Sequence, residues 1–410
     1  MIRLYLILID IIIPILVGLL ISILNTGINI LPYIVFSLTL FIFSFFKGFY
    51  DNYYSRHFSE KLKISFITSI TVVFFQLIFY SYISFEISLF IVFSWILIPA
   101  IILFLRYILK MLNKSINDVV IIIIGNLYKF NSHEIKILTD KAFTVYFYDE
   151  LQNYLEKKSH ETKNQVIVVV NMSTNEIKNT KSISMIDTIS LGEFMESYLR
   201  KIYIDDTAAF NNINKYNKTD FFMKRLIDYT SVLVLLPFLI GASIYTILMK
   251  IFRGYKGSFI YTQERYGINQ KIFSLFKLRT MHKDSDTHGN TVKNDERIYS
   301  FARTLRKFRL DELPQIINIF LGDMHLVGPR AEWVKLSDEY SKSISNYSLR
   351  SIVRPGITGW AQVLYQYGFD INDSKQKLMY ELFYIKNWTV WLELEICIKT
   401  ITVILDKKGF

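Results

Sequence analysis

The sequence holds one cysteine, Cys397, among 410 residues, which excludes an intrachain disulfide and any zinc cluster built on cysteines. Its six histidines never fall in a His-Glu-x-x-His pattern, so no metalloprotease-type zinc helix is encoded. A glycine-rich phosphate loop is missing where one would be sought. The strand pattern DVVIIIIG at 118–125 continues into Asn126, Leu127, Tyr128, Lys129 and Phe130. Those bulky residues stand where a G-x-G-x-x-G turn would bring bare backbone to a pyrophosphate. No small-residue cleavage site follows the first apolar run, so that run is expected to stay as an anchor.

What is abundant is apolar surface: 51% of the residues are hydrophobic and 16% aromatic, which points to membrane segments. The formal charge is +11, from 47 basic and 36 acidic residues. An anionic partner fits that balance, either lipid headgroups or nucleotide phosphates; nucleic acid is not expected in a chain this apolar. Apolar runs at 4–24, 30–46, 64–80 and 87–109 approach the roughly 20 residues needed to cross a bilayer. Arg3 precedes the first run, Lys47, Arg56, Lys61 and Lys63 separate the second from the third, and Arg106, Lys110 and Lys114 close the fourth. The connectors at 25–29 and 81–86 carry no Lys or Arg. Basic loops stay inside, so the N-terminus and everything after Lys110 are expected in the cytoplasm.

The transmembrane region is thus expected over 1–115, followed at 116–210 by a small Rossmann-like α/β domain with strands at 118–125, 143–148 and 165–170. Without the phosphate fingerprint, a structural or interaction role is expected for it. The polar stretch NNINKYNK at 211–218 reads as part of a linker over 211–223. A fifth apolar run at 231–249 has Lys224 and Arg225 before it and Lys250, Arg253 and Lys256 after it, with Pro237 inside. Charge on both flanks and a helix-bending proline together fit a broken helix that enters and leaves on one face. An ordinary fifth span is the alternative.

The last third carries a dense series of motifs. Lys224, Arg225 and Asp228 open it, then Gln263, Arg265 and Gly267, then FKLRTM at 276–281, which contains Lys277 and Arg279. Asn294-Asp295 with Arg297 follows, then LDELPQ at 310–315, GDM at 322–324, VGPR at 327–330 and RPGITGW at 354–360. In this order, over about the last 185 residues, the chain resembles the bacterial sugar transferases, the polyprenyl-phosphate hexose-1-phosphate transferases. The four apolar runs and the degenerate α/β domain resemble the long forms of that family, which begin capsule, exopolysaccharide or O-antigen repeat units. The resemblance implies a mainly helical catalytic domain over 224–410, with Lys224, Arg225, Asp228 and Pro237 on a re-entrant membrane helix. It also implies a bacterial inner-membrane location.

The residues make chemical sense beside the resemblance. Moving a phosphosugar out of a diphosphate needs a nucleophile, neutralisation of phosphate charge and usually Mg²⁺. Asp311 and Glu312 are adjacent carboxylates among Arg303, Arg306, Lys307 and Arg309. Magnesium binds through one or two carboxylates plus substrate phosphates, and a carboxylate can also attack phosphorus. The resemblance implies Asp311 as the nucleophile that holds the phosphosugar and as a Mg²⁺ ligand, with Glu312 as its partner. The competing reading is that Asp311 and Glu312 merely cap the helix that follows. Lys277, Arg279, Arg297, Arg330 and Arg354, assisted by Asp295, are the candidates for holding the diphosphate and nucleotide. Trp360 is left between stacking on uracil and a core or interface role. The segment 282–293 reads as a loop over the substrate or as plain disorder.

Several positions depart from the family pattern: Ala302, Arg309, Ala331, Glu381, Glu393, and Leu364-Tyr365-Gln366 in place of a frequent Asn-Gly-Arg. None touches the acidic pair, but together they leave the sugar unassigned. The implied partners are a UDP-sugar, undecaprenyl phosphate and membrane lipids; a homodimer is left open. The implied reaction is ping-pong with release of UMP. A non-catalytic membrane scaffold is the rival reading. A transporter is disfavoured, because Asp10 is the one charge deep inside the four runs.

Overall fold

The first two apolar runs fold as helices in the computed structural model, α1 (Ile2–Leu24) and α2 (Leu31–Phe46). They pack side by side, and the Ser37 hydroxyl donates to the Ile11 carbonyl at 2.8 Å. The structure describes residues 2–24, 31–46, 98, 101–102, 104–105, 119–140, 143–148, 165–171, 188–205, 218–255, 257–282, 295–365 and 370–405. The expected third span lies outside these residues, as does nearly all of the fourth.

The β-branched runs of the middle segment build a four-stranded parallel sheet in the order β2-β1-β3-β4, from β1 (Val119–Ile124), β2 (Phe143–Tyr148), β3 (Gln165–Val170) and β4 (Thr188–Ser190). Helix α3 (Ser132–Asp140) follows β1. In such sheets a ligand would sit at the carboxyl ends, where the order reverses between β1 and β3. Here Asn171, just past β3, bonds to the segment that follows β1. Asn171 accepts from the Tyr128 N–H at 2.8 Å and donates to the Gly125 and Tyr128 carbonyls at 3.0 and 2.9 Å. At the start of α3, the Glu134 carboxylate accepts from the Asn131 N–H at 2.7 Å and from the Tyr128 hydroxyl at 2.6 Å.

The chain divides into two compact units between Ser190 and Leu191, ahead of the expected domain boundary at 210. In the second unit, the longest element is α4 (Lys218–Arg253), a 36-residue helix containing Pro237. Among the described residues it is the one helix long and apolar enough to cross a membrane, and only 11% of its most apolar window is buried. Both halves pack on the same unit. Val232 in the first half touches the cluster of Leu275, Ile319 and Met324, whereas Ala242 and Met249 in the second join Leu278, Tyr299, Phe301 and Leu305. Between them no residue of 233–241 is buried, and Leu233, Val234, Leu236, Phe238 and Ile240 are exposed.

The first half of α4 is tied down by polar bonds within the core. The Lys224 ammonium, 0% exposed, donates to the Val327 carbonyl (2.5 Å), the Tyr384 hydroxyl (2.7 Å) and Glu393 (2.5 Å). Asp228 accepts from the Leu326 N–H at 2.8 Å and shares a 2.6 Å contact with His325 Nδ1. Lys224 and Asp228, two of the residues read from sequence as marks of a re-entrant helix, are therefore also its attachment points.

The rest of the unit consists of an antiparallel pair, β5 (Ile260–Tyr266) with β6 (Ile272–Leu278), a parallel pair, β7 (His325–Val327) with β8 (Gly356–Thr358), and short helices. The helices are α5 (Ala302–Lys307), α6 (Gln315–Leu321), α7 (Val334–Ser343), α8 (Trp360–Leu364), α9 (Ile371–Lys386) and α10 (Val390–Leu405). The VGPR and RPGITGW segments interlock backbone to backbone. A Cβ on Gly356 would lie 2.0 Å from the Gly328 nitrogen, and one on Gly328 would lie 2.7 Å from the Arg354 carbonyl oxygen. Only glycine permits that approach.

Candidate active site

Asp311 and Glu312 lie on a single 3₁₀ turn, Leu310–Glu312, between α5 and α6. Arg309 enters the turn with φ +55°, a left-handed conformation that costs a non-glycine residue free energy. Neither carboxylate caps a helix: the residue heading the turn is Arg309, that heading α6 is Pro314, and neither receives a side-chain cap. The capping alternative therefore falls away. Asn318 of α6 fixes the turn against β6, accepting from the Phe276 N–H at 3.1 Å and donating to the Ser274 carbonyl at 2.7 Å. That contact sets Lys277 opposite the acidic pair.

The two neighbouring carboxylates meet different surroundings. Glu312 accepts from the Lys277 ammonium at 2.9 Å, and its other oxygen is 3.6 Å from an Arg309 nitrogen. Burial would raise its pKa, but Lys277, Arg330 and Arg309 together hold it well below the ordinary carboxylate range. Asp311 is 8% exposed. Burial first, and the Glu312 charge second, push its pKa up, against the opposing pull of Lys277 and Arg306. One member is thus locked in an ion pair, and the other is a buried carboxylate whose ionised form the fold disfavours. Lys277 itself is lowered by burial, despite Glu312.

The predicted cations separate into groups. Lys277 and Arg330 belong to the dyad, since both act on Glu312. Arg265 joins them: its field reaches Glu312 and Arg330, it lies 3.6 Å from Glu332, and its guanidinium donates to the Ala331 carbonyl at 3.0 Å. Burial, with Arg330 adding to it, lowers its pKa to about 10. Arg265 carries no assigned task in the sequence; its membership in the Gln263-Arg265-Gly267 motif is the available signal. Arg279, just past β6, stacks over Tyr261 at 5.4 Å. Asp295 and Arg297 form their own two-point ion pair, at 2.8 and 2.5 Å.

Arg354 is not placed with the dyad. It lies over Phe221 at 5.4 Å and faces Arg225, Asp228 and Asp323, and Arg225 bonds the Ile319 carbonyl near the far end of α6. The RPG backbone that interlocks with Gly328 carries the Arg354 side chain to the foot of α4. Trp360 is also decided. It is 3% exposed and its indole N–H donates to the Arg200 carbonyl at 3.0 Å, a core position that leaves no open face for uracil.

Among the described residues, no cluster of three or more His, Cys, Asp or Glu side chains could hold a metal alone. The chemistry of the dyad nevertheless suits Mg²⁺, which accepts a single carboxylate when substrate phosphates complete its shell. Asp311 is the hard oxygen ligand that remains once Glu312 is committed to Lys277 and Arg309.

The family model described as bacterial sugar transferase matches residues 219–407. Over 191 residues the chain is 37% identical to a UDP-N-acetylgalactosamine-undecaprenyl-phosphate N-acetylgalactosaminephosphotransferase of Aeromonas hydrophila, covering 46% of this chain and 45% of that one. It is 40% identical over 161 residues to a UDP-glucose:undecaprenyl-phosphate glucose-1-phosphate transferase of Xanthomonas campestris pv. campestris, covering 37% and 32%. An uncharacterized sugar transferase of Bacillus subtilis, EpsL, is 35% identical over 191 residues, which is 46% of this chain and 89% of EpsL. The chain thus spans less than half the length of the first two relatives and most of the third.

Proposed function

Because this chain belongs to the bacterial sugar transferase family, we propose that it moves a sugar 1-phosphate from a UDP-sugar to undecaprenyl phosphate at the cytoplasmic face of the bacterial inner membrane. The observation that carries this reading is the unequal carboxylate pair: Glu312 is ion-paired with Lys277, and Asp311 is buried beside it. The names of the Aeromonas and Xanthomonas relatives support the substrate classes. The apolar, unburied middle of α4 supports a membrane-bound acceptor, and its attachment at both halves to one unit supports a re-entrant path rather than a span.

In this mechanism a carboxylate oxygen of Asp311 attacks the phosphorus that carries the sugar. The bond from that phosphorus to the UMP oxygen breaks, and UMP leaves with the electron pair. An oxygen of undecaprenyl phosphate then attacks the same phosphorus and the Asp311 carboxylate is expelled intact. Lys277, Arg265 and Arg330 hold the diphosphate charge, while Glu312 keeps Lys277 oriented. Asp311 would hold Mg²⁺ together with the donor's phosphates, and the ion would supply additional charge neutralisation.

Purified protein in nanodiscs, given undecaprenyl phosphate and a panel of UDP-sugars, should release UMP with at least one donor, and chelation by EDTA should abolish release. No UMP from any donor would overturn the proposal and favour the scaffold. Ionised Asp311 is the reactive form and its pKa is raised, so the rate should climb with pH through a midpoint above the ordinary aspartate value. A kcat/KM profile with its acid limb at or below that value would count against Asp311 as nucleophile.

A further inference from the structure

The second unit starts 28 residues ahead of the family-matched segment, at Leu191 rather than 219. Its first stretch is a turn of α-helix, Leu191–Phe194, running into a π-turn, Met195–Leu199, and closed by Arg200 at φ +56°. Leu191, Phe194, Met195, Leu199, Ile202 and Ile204 are all buried, so this segment is part of the unit's core. It runs antiparallel along α9. Glu196 meets Lys386 at 2.8 Å and Asn387 at 2.9 Å, the Ile202 N–H donates to the Met379 carbonyl at 2.9 Å, Lys201 meets Gln376 at 3.1 Å, and Asp205 meets Lys375 at 3.2 Å. Arg200 ties in two more helices. Its guanidinium pairs with Glu395 of α10 at 2.7 Å and lies 4.4 Å over Trp360 of α8 and 5.4 Å from Phe383.

About a third to nearly half a turn round the same helix, α9 reaches the segment that carries Arg330. Glu381, 4% exposed, accepts from Arg350 at 2.8 and 2.7 Å and from the Arg330 N–H at 3.1 Å. Arg350 in turn donates to the Arg330 carbonyl at 2.9 Å. Both backbone polar groups of Arg330 therefore hang on a pair anchored to α9. A shift of α9 moves the guanidinium that faces Glu312 and Lys277. Two long cations, Arg200 at 7% and Lys201 at 0% exposure, are buried in the segment. Buried charges of this kind add little net stability compared with apolar residues, but they do fix register.

We propose that residues 191–205 are a positioning brace of the active site, setting Arg330 through α9. The idea rests on the function proposed above, in which Arg330 binds the donor diphosphate. Because Leu191 follows Ser190 directly, the last strand of the sheet runs into the brace with no linker.

A charge exchange in the full-length protein tests it. Glu196→Lys and Lys386→Glu alone should each raise KM for the UDP-sugar about threefold, as expected for losing a partly exposed pair, with kcat little changed. The double exchange should return KM to within about twofold of wild type. Arg200→Gln, which removes the buried contact, should raise KM about tenfold or more. If the singles lower kcat and the melting temperature together while KM stays put, the segment is only structural and the proposal is overturned. If Glu196→Lys does not fold, Lys201→Met, similar in length and uncharged, must still shift KM. Should the wild type release no UMP at all, the proposed function fails. The brace is then judged by equilibrium binding of the UDP-sugar to the same variants, and unchanged binding would overturn it.

Discussion

Asp311→Asn should lower UMP release by roughly 10³-fold or more, the loss expected when a covalent nucleophile is removed, while raising the melting temperature by a few degrees. The two effects share one cause. A folded-state pKa raised above the unfolded value means that ionised Asp311 is disfavoured by the fold. Its contribution to stability is favourable at low pH and is lost as pH rises through the unfolded and then the folded pKa. Asparagine keeps the shape without the charge, so the variant is relieved of that cost at neutral pH. Glu312→Gln should behave in the opposite way. Its folded pKa is depressed, so it stabilises the protein above the ordinary glutamate range, and that contribution is lost as pH falls. Removing the charge leaves Lys277 largely buried without its carboxylate. Breaking a buried pair costs about 3–5 kcal/mol, and partial exposure reduces this to about 2 kcal/mol here. Thermal unfolding of both variants beside wild type, at pH 7, provides the check. If both variants shift in the same direction, the unequal-pair account is wrong. An Asp311→Asn protein that still turns over normally would remove it as the nucleophile.

The second large effect concerns the foot of α4. Glu393→Ala should cost about 3–5 kcal/mol, because Lys224 is then buried beside Val327 and Tyr384 without the carboxylate it contacts at 2.5 Å. Trp388 loses one contact as well, since its indole N–H donates to the same Glu393 oxygen at 2.6 Å. Removing both charges is a different matter. Lys224→Met with Glu393→Leu replaces a desolvated pair by apolar groups, and the double variant should recover most of the loss. Thermal unfolding in nanodiscs measures this directly. Strictly additive costs in the double variant would show that the two residues do not act as a pair.

The sheet domain illustrates how local pattern can be read without three-dimensional information. The runs VVIIII, FTVYFY and QVIVVV are apolar for the length of a buried strand, and they form neighbouring strands of one parallel sheet. The absence of a glycine turn after Gly125 was equally legible. That Asn171 bonds to Gly125 was not, because the two lie 46 residues apart and no local pattern links them. In the catalytic unit, the acidic pair and the motif order were visible in the sequence. The place of Arg354 over Phe221 was not, because motif membership says which residues come near one another and not which way each side chain points.

By itself the sequence determined what depends on neighbours in the chain: apolar runs, strand periodicity, the Asp311–Glu312 adjacency and the family motifs. Only the tertiary structure decided which carboxylate is neutralised and which is strained, since Lys277 and Arg330 reach the turn from separate elements. It also assigned residues 191–205 to the catalytic unit, where the linear reading had put a domain still in progress. The reason is the same in each case. Burial and Coulomb fields are sums over groups distant in sequence, and they come into being only when folding brings those groups within a few ångströms.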